Sequence, residues 1–154
     1  MLSKTHLSAV YPRSVYIVVV ENKNDLKKIA DTYTAYHITK GMNVECDQKS
    51  FLENLENHFN DDVLASCHPV LNKESNALGV LCVIFKPDYV NCSTLAHESV
   101  HLADYFFESL GMNGEDFTDG DEPYAYLVGW IFQGLEEVYD TYRKKNSNGK
   151  QEVR

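Results

Sequence analysis

The stretch TLAHESVHLADYFFESL, from Thr94 to Leu110, decides how the rest of the chain is interpreted. It is predicted to be one helix that ends at Gly111, a residue type typical of helix C-termini. Each helical residue turns by about 100°, so His97 and His101 lie one turn apart on one face. Their imidazole nitrogens can therefore meet one tetrahedral metal ion, with Glu98 at the edge of the same face.

The chain before this helix is predicted to begin with a strand and two helices. Residues 14–21, SVYIVVVE, are rich in β-branched side chains and favour a buried strand. Residues 24–38 and 47–59 carry apolar side chains at helical spacing, and Gly41 is typical of the end of the first helix. Both helices are therefore expected to pack an apolar face on the sheet.

A β-hairpin is predicted directly before the metal-binding helix. The apolar stretches 62–71 and 77–85 flank the polar loop NKESN. Pro69 would place the first strand at a sheet edge, because proline cannot donate a hydrogen bond to a ladder. Ser93 or Thr94 can cap the helix that follows. A strand in this place could hold an extended peptide by edge pairing.

A second long helix is predicted over residues 122–145, with Asp121 as its N-cap. The predicted order of strand, helix, helix, hairpin, helix and helix is that of an α+β domain with a small sheet. Residues 1–145 are expected to form one domain, and residues 146–154 a flexible tail.

Two sets of small or apolar residues are expected to bring the C-terminal helices together. Gly129 and Ala125 lie on nearly the same face as Glu122 and would let the second helix approach the metal helix. The metal helix should pack on the sheet through an apolar stripe on its flank, formed by Ala96, Val100, Ala103 and Phe107.

A third metal ligand is needed, because catalytic zinc takes three protein ligands and a water. Glu122 is the first choice, since it opens the second helix after a loop that can reverse the chain. Asp104 is the alternative, because it shares the face of His97 and His101. If it is not a ligand, Asp104 is expected to accept a hydrogen bond from a ligand histidine.

The remaining catalytic roles follow from the chemistry of metal-activated water. Glu98 is suited to be the general base, since it can reach such a water without being a ligand. A hydroxyl donor for the developing oxyanion is also expected. Tyr126, one turn after Glu122, is the chosen candidate, and Tyr124 and Tyr105 are alternatives.

The motif HESVH together with a helix that begins DEPYAY resembles the gluzincins, thermolysin-like zinc peptidases. The small size and the order of hairpin, metal helix and glutamate helix are similar to minimal zincins of bacteria and phages. The resemblance covers about residues 78–142. It implies a zincin-like fold, Zn²⁺ held by His97, His101 and Glu122, and Glu98 as the base. The motif contexts of larger gluzincins, and their substrate-binding subdomain, are absent.

The composition of the chain limits the classes of partner that it can bind. A net charge of -9 argues against binding to nucleic acid, which needs clustered lysine and arginine. The longest apolar run, residues 15–20, is too short to cross a membrane, and the N-terminus lacks the apolar core of a signal peptide. A cytoplasmic protein is therefore expected, in which the four cysteines fill the core. Three further histidines have no partner at ligand spacing and are expected to be surface or capped residues: His37, His58 and His68.

The sequence therefore predicts a zinc metallopeptidase that hydrolyses peptide or protein substrates. One alternative is a zincin-fold binding or regulatory module whose peptidase activity is latent or lost. Another is a structural helix in which the motif is coincidental. Peptidase activity with a zinc requirement distinguishes the first interpretation from the other two.

Overall fold

A computed structural model describes residues 1–7, 13–39, 42–112 and 122–149. In these ranges the chain forms six strands: β1 Leu2–Leu7, β2 Ser14–Val19, β3 Tyr33–Thr39, β4 Met42–Glu45, β5 Ala65–Asn72 and β6 Ala77–Ile84. The same ranges contain four α-helices: α1 Asn24–Thr32, α2 Gln48–Asn60, α3 Cys92–Ser109 and α4 Glu122–Gly149. A short 3₁₀ helix, Pro87–Tyr89, precedes α3. The predicted α+β class is confirmed.

The strands form one mixed sheet in the order β1-β2-β6-β5-β3-β4. Only β2 and β6 are parallel among the pairs, and β5 and β6 form the predicted hairpin. Helices cover both faces, so β2 is a continuous apolar run and not an alternating one. Ile17 packs in the cluster that holds α3 and α4, whereas Val18 packs with α1 and α2.

The first predicted helix is only half correct, because α1 ends at Thr32 and the chain continues as β3. Residues 33–39, YTAYHIT, carry the aromatic and β-branched side chains that favour strands. Tyr33 and Ala35 are buried on the face of α1 and α2. The spacing of these residues is compatible with a helix as well as with a strand, and pairing with β5 stabilises the strand. Gly41 lies outside the described residues.

Pro69 does not place the whole of β5 at an edge, since β5 lies between β6 and β3. Pairing with β3, however, covers only residues 70–72 of β5. The next residue, Pro69, has no N–H, so the ladder cannot continue, and β3 pairs with β4 instead. The first part of β5, residues 65–69, therefore keeps an open outer edge, and the prediction holds for that part.

The helix α3, which carries the HESVH motif, begins and ends with clear capping interactions. Asn91, and not Ser93 or Thr94, is the N-cap, and its side chain accepts a hydrogen bond from the Thr94 N–H. At the other end Gly111 has φ 67°, and its N–H bonds the Glu108 carbonyl. The stop predicted at Gly111 is confirmed, because a left-handed residue closes the helix here.

The predicted packing faces of the two C-terminal helices are partly wrong. On α3, Ala103 and Phe107 are buried, but Ala96 and Val100 face solvent. On α4, Ala125 and Gly129 are exposed as well, so they do not mediate the close approach. The α4 face that is buried consists of larger apolar residues: Leu127, Ile131, Leu135 and Val138. Burial of these larger side chains outweighs the closer approach that the small residues would allow.

The helix α4 continues through Gly149, past the start of the tail expected at residue 146. Asp121 and residues 150–154 lie outside the described residues. In the described parts of the chain, no helix combines the length and the apolar character that a membrane span requires.

A glycine pair offers a matched stability test of this packing. A Cβ at Gly79 in β6 would lie 2.2 Å from the Ser14 carbonyl oxygen, whereas one at Gly129 would meet nothing within 4 Å. We expect Gly79→Ala to lower the free energy of unfolding by at least about 2 kcal/mol, because the backbone of β2 must shift. Gly129→Ala should raise it by up to about 1 kcal/mol. Urea denaturation measures both, and similar midpoints would contradict the parallel pairing of β2 with β6.

Candidate metal centre

His97 and His101 converge on the solvent-facing side of α3. Their Nε2 atoms are 3.0 Å apart, and the ring centroids are separated by 4.6 Å. Two nitrogens bound to one tetrahedral zinc are about 3.3 Å apart, given bonds of about 2.0–2.1 Å. Both rings are exposed, so a metal ion can reach them from solvent. The pair therefore fits two ligands of one ion with little movement.

The two candidate third ligands also lie on exposed positions. Asp104 Oδ1 accepts a hydrogen bond of 2.5 Å from the Tyr124 hydroxyl, and Glu122 is the first residue of α4. Among the described residues, no three His, Cys, Asp or Glu side chains form a group that could hold a metal. The structure thus brings the two histidines together, and the assignment of the third ligand stays a prediction.

Tyr124 fixes the start of α4 against α3. Its hydroxyl lies 3.4 Å from the Val100 carbonyl oxygen as well as on Asp104, and its ring packs edge-on against Phe107. Burial and the neighbouring carboxylate of Asp104 raise the pKa of Tyr124 above its usual range. Glu122, two residues earlier, therefore begins α4 beside the turn of α3 that follows His101.

Tyr126 is placed differently from the expectation of an oxyanion donor. It is 74% exposed on α4, whereas Tyr124, the sequence-based alternative, is the tyrosine that reaches α3. Tyr126 was predicted as the donor because it lies one turn after Glu122. The face of α4 that packs on α3 is set instead by the buried residues Leu127 and Ile131.

Glu98 turns from the histidine face toward the sheet. Only 7% of it is exposed, and its Oε2 atom accepts a hydrogen bond from the Cys67 thiol at 3.1 Å. Burial, the neighbouring Cys82 and the Glu98 carboxylate raise the pKa of the Cys67 thiol, so it stays protonated and donates. Sequence reasoning missed this contact, because it depends on where β5 crosses α3.

An open groove borders Glu98 and His97 and is about 390 Å³ in volume. Its other walls are the start of α3 and the residues where β5 begins, Leu64 and Ala65. The outer edge of β5 continues from this groove along α3. The groove therefore offers an approach to Glu98 from the same side as His97.

Backbone groups along this edge point outward at alternate residues. The Phe85 N–H bonds the Leu64 carbonyl oxygen at 2.9 Å, so Leu64 faces β6. In an antiparallel ladder the direction alternates, so Ala65 and Cys67 face away from β6. No described strand pairs with this side, and both residues can donate and accept there.

No protein family, curated protein or solved structure matches the chain. Its function is therefore inferred from its own residues.

Three histidines expected to be isolated surround one cavity of about 540 Å³. His58 comes from α2, His37 from β3 and His68 from β5. The cavity also includes Pro69 and Tyr105, so it opens where β3 leaves β5. Local spacing could not reveal this cluster, because each histidine belongs to a different element.

Proposed function

We propose that this protein is a zinc-dependent metallopeptidase with a zincin-like arrangement of hairpin, metal helix and C-terminal helix. The single observation that carries the proposal is the 3.0 Å approach of the Nε2 atoms of His97 and His101. Each imidazole turns about two side-chain bonds, and most combinations of these rotamers would separate the two rings. Their convergence supports a shared ligand.

The proposed ligands are His97, His101 and the carboxylate of Glu122. The start of α4 lies beside the turn of α3 after His101, as the contact of Tyr124 with Asp104 indicates. Glu122 lies on the exposed face of α4 with Ala125 and Gly129, so the first turn of α4 would have to turn for its carboxylate to reach the histidines. Asp104 would hold Tyr124 in place, and it remains the alternative ligand.

Glu98 is the proposed general base. Zinc bound at the histidines would lower the pKa of a water molecule to about neutrality. Glu98 borders the groove beside His97, so its carboxylate can accept a proton there and deliver it to the leaving amine. The Cys67 thiol occupies one carboxylate oxygen, Oε2, and thereby orients the side chain. The other oxygen, Oε1, is the one assigned to proton transfer.

An extended peptide is the proposed substrate. The outward N–H and C=O groups of Ala65 and Cys67 can pair with it as an added strand. The Cys67 side chain contacts Glu98, so this edge passes directly beside the proposed base. Peptide bonds along the added strand would then lie within reach of Glu98.

A second candidate is a binding or regulatory module with the same peptide edge and no hydrolysis. It is favoured by the absence, among described residues, of an assembled group of three metal ligands. Such a module would bind the same extended peptides and leave them intact. Cleavage of a peptide library by the zinc-loaded protein separates the two candidates.

Zinc-dependent stabilisation tests the proposal. At free zinc about 100-fold above the Kd, we expect the free energy of unfolding to rise by about 2.7 kcal/mol, with one ion per chain. His97→Ala should abolish both the stoichiometric zinc and the thermal shift. His37→Ala is the matched control, since that exposed histidine lies on β3 outside the pair. Equal zinc binding by wild type and His97→Ala would refute the site.

A further inference from the structure

The cavity of about 540 Å³ beside β5 has a composition unusual for such an acidic chain. Phe51 and Tyr105 supply aromatic walls, and the polar side chains that line it are those of Tyr36, His37, Ser50, Asn54, His58 and His68. Among described residues, no aspartate or glutamate lines it. A cavity of this kind favours a guest that accepts hydrogen bonds and carries negative charge.

One histidine of the cavity has an unused polar atom. Nδ1 of His58 is buried and has no hydrogen-bond partner among the described residues. In contrast, Nε2 of His68 is 2.7 Å from the Ser66 hydroxyl. The atom has almost no exposed surface, so a guest can bond it only after the His58 ring turns, and such a bond would satisfy an otherwise unpaired polar atom.

The charge state of the cluster points to the same class of guest. Burial, and then the nearby His58 and His37, lower the pKa of His68 to about 4. His68 is therefore uncharged near neutral pH, and a carboxylate bound beside it would raise its pKa again. The remaining titratable groups that line the cavity are thiols and phenols: Cys46, Cys67, Tyr36 and Tyr105.

The position of the cavity connects it with the open edge of β5. Side chains of β5 alternate between the two faces: Cys67 contacts Glu98 of α3, whereas His68 stacks near Phe51 and His58 of α2. An added strand alternates in the same way. The cavity lies beside this edge, with walls from α2 and also Cys67 and Tyr105 from the α3 side, so a side chain that a bound peptide directs to the α2 side would enter it.

We propose that the cavity is a side-chain pocket for an acidic residue, aspartate or glutamate, of a peptide that pairs with the open edge of β5. The pocket's role in cleavage rests on the proposed function, whereas peptide binding at the pocket needs no metal. A carboxylate can accept a hydrogen bond from His58 Nδ1 once the ring turns toward it, whereas a neutral aromatic guest leaves that atom without a partner. The acidic residue would lie close to the bond presented to Glu98.

The test compares two capped pentapeptides, Ala-Thr-Glu-Thr-Ala and Ala-Thr-Gln-Thr-Ala, on the full-length Glu98→Gln protein, which leaves both peptides intact. We expect the glutamate peptide to bind at least about fivefold more tightly, since its hydrogen bonds are charge-assisted. Histidine ring signals in NMR titrations should show the pKa of His68 rising from about 4 when the glutamate peptide is bound.

Two variants complete the experiment. His58→Gln should remove the preference for glutamate, and Asn57→Ala, an exposed position of the same helix outside the cavity, should retain it. If the Glu98→Gln protein prefers the glutamate peptide but binds no zinc, the pocket is supported and the peptidase proposal fails. Equal binding of the two peptides to the parent protein would overturn the pocket, even if zinc binds and peptides are cleaved.

Discussion

Glu98→Gln is expected to lower kcat/KM for peptide hydrolysis by about a thousandfold while zinc affinity stays unchanged. Glutamine keeps the size of the side chain and can still accept the Cys67 thiol hydrogen bond at one oxygen. It cannot take up a proton, and general acid–base catalysis contributes about 10²–10⁴-fold to such reactions. The change should therefore remove the chemistry without removing the site.

The matched control is Glu108→Gln, an exposed glutamate near the end of the same helix. Its hydrolysis rate, zinc stoichiometry and melting temperature should equal those of wild type. Zinc content measured beside the rates verifies that Glu98→Gln retains the metal. Undiminished hydrolysis by Glu98→Gln would eliminate Glu98 as the base.

A purely structural role for Glu98 leads to different expected results. If its only role is the buried hydrogen bond to Cys67, Glu98→Gln and Cys67→Ala should both alter stability and leave no specific loss of rate. In the proposed enzyme, Cys67→Ala retains the base and disturbs only its orientation. We therefore expect a rate loss for Cys67→Ala that is much smaller than for Glu98→Gln.

The sequence predicted best what depends on residues close together along the chain. The helix α3, its stop at Gly111 and the approach of His97 to His101 all follow from spacing within about one turn. The hairpin of β5 and β6 follows from two apolar stretches around a polar loop. Local geometry determines these features, so contacts with the rest of the fold alter them little.

Predictions failed where tertiary pairing decided between two local options. Residues 33–39 fitted both a helix and a strand until β5 provided a partner. The strand β1 was missed, because its residues, LSKTHL, are mostly polar and its pairing with β2 supplies the stabilisation. Neither the open edge at Pro69 nor the contact between Cys67 and Glu98 could be predicted without the order of the strands in the sheet.

Which carboxylate would complete the proposed metal site also depends on how α3 and α4 pack. Replacing Glu122 by alanine should weaken zinc binding by more than a hundredfold, because a ligand loss exceeds the 10–100-fold typical of outer partners. Asp104→Asn should cost no more than that range, since Asp104 holds Tyr124 and would act on the metal only indirectly. Competition with a chelator of known affinity measures both values.

Two controls separate the roles of the carboxylates. Tyr124→Phe removes only the hydroxyl that bonds Asp104 Oδ1, and should reproduce most of the Asp104→Asn effect. Glu136→Ala, exposed elsewhere on α4, should leave zinc affinity unchanged. If Asp104→Asn proves the more damaging change, Asp104 is the ligand and all three ligands come from α3. That outcome would leave α4 to position Tyr124 only, and it would separate this centre from the gluzincin arrangement.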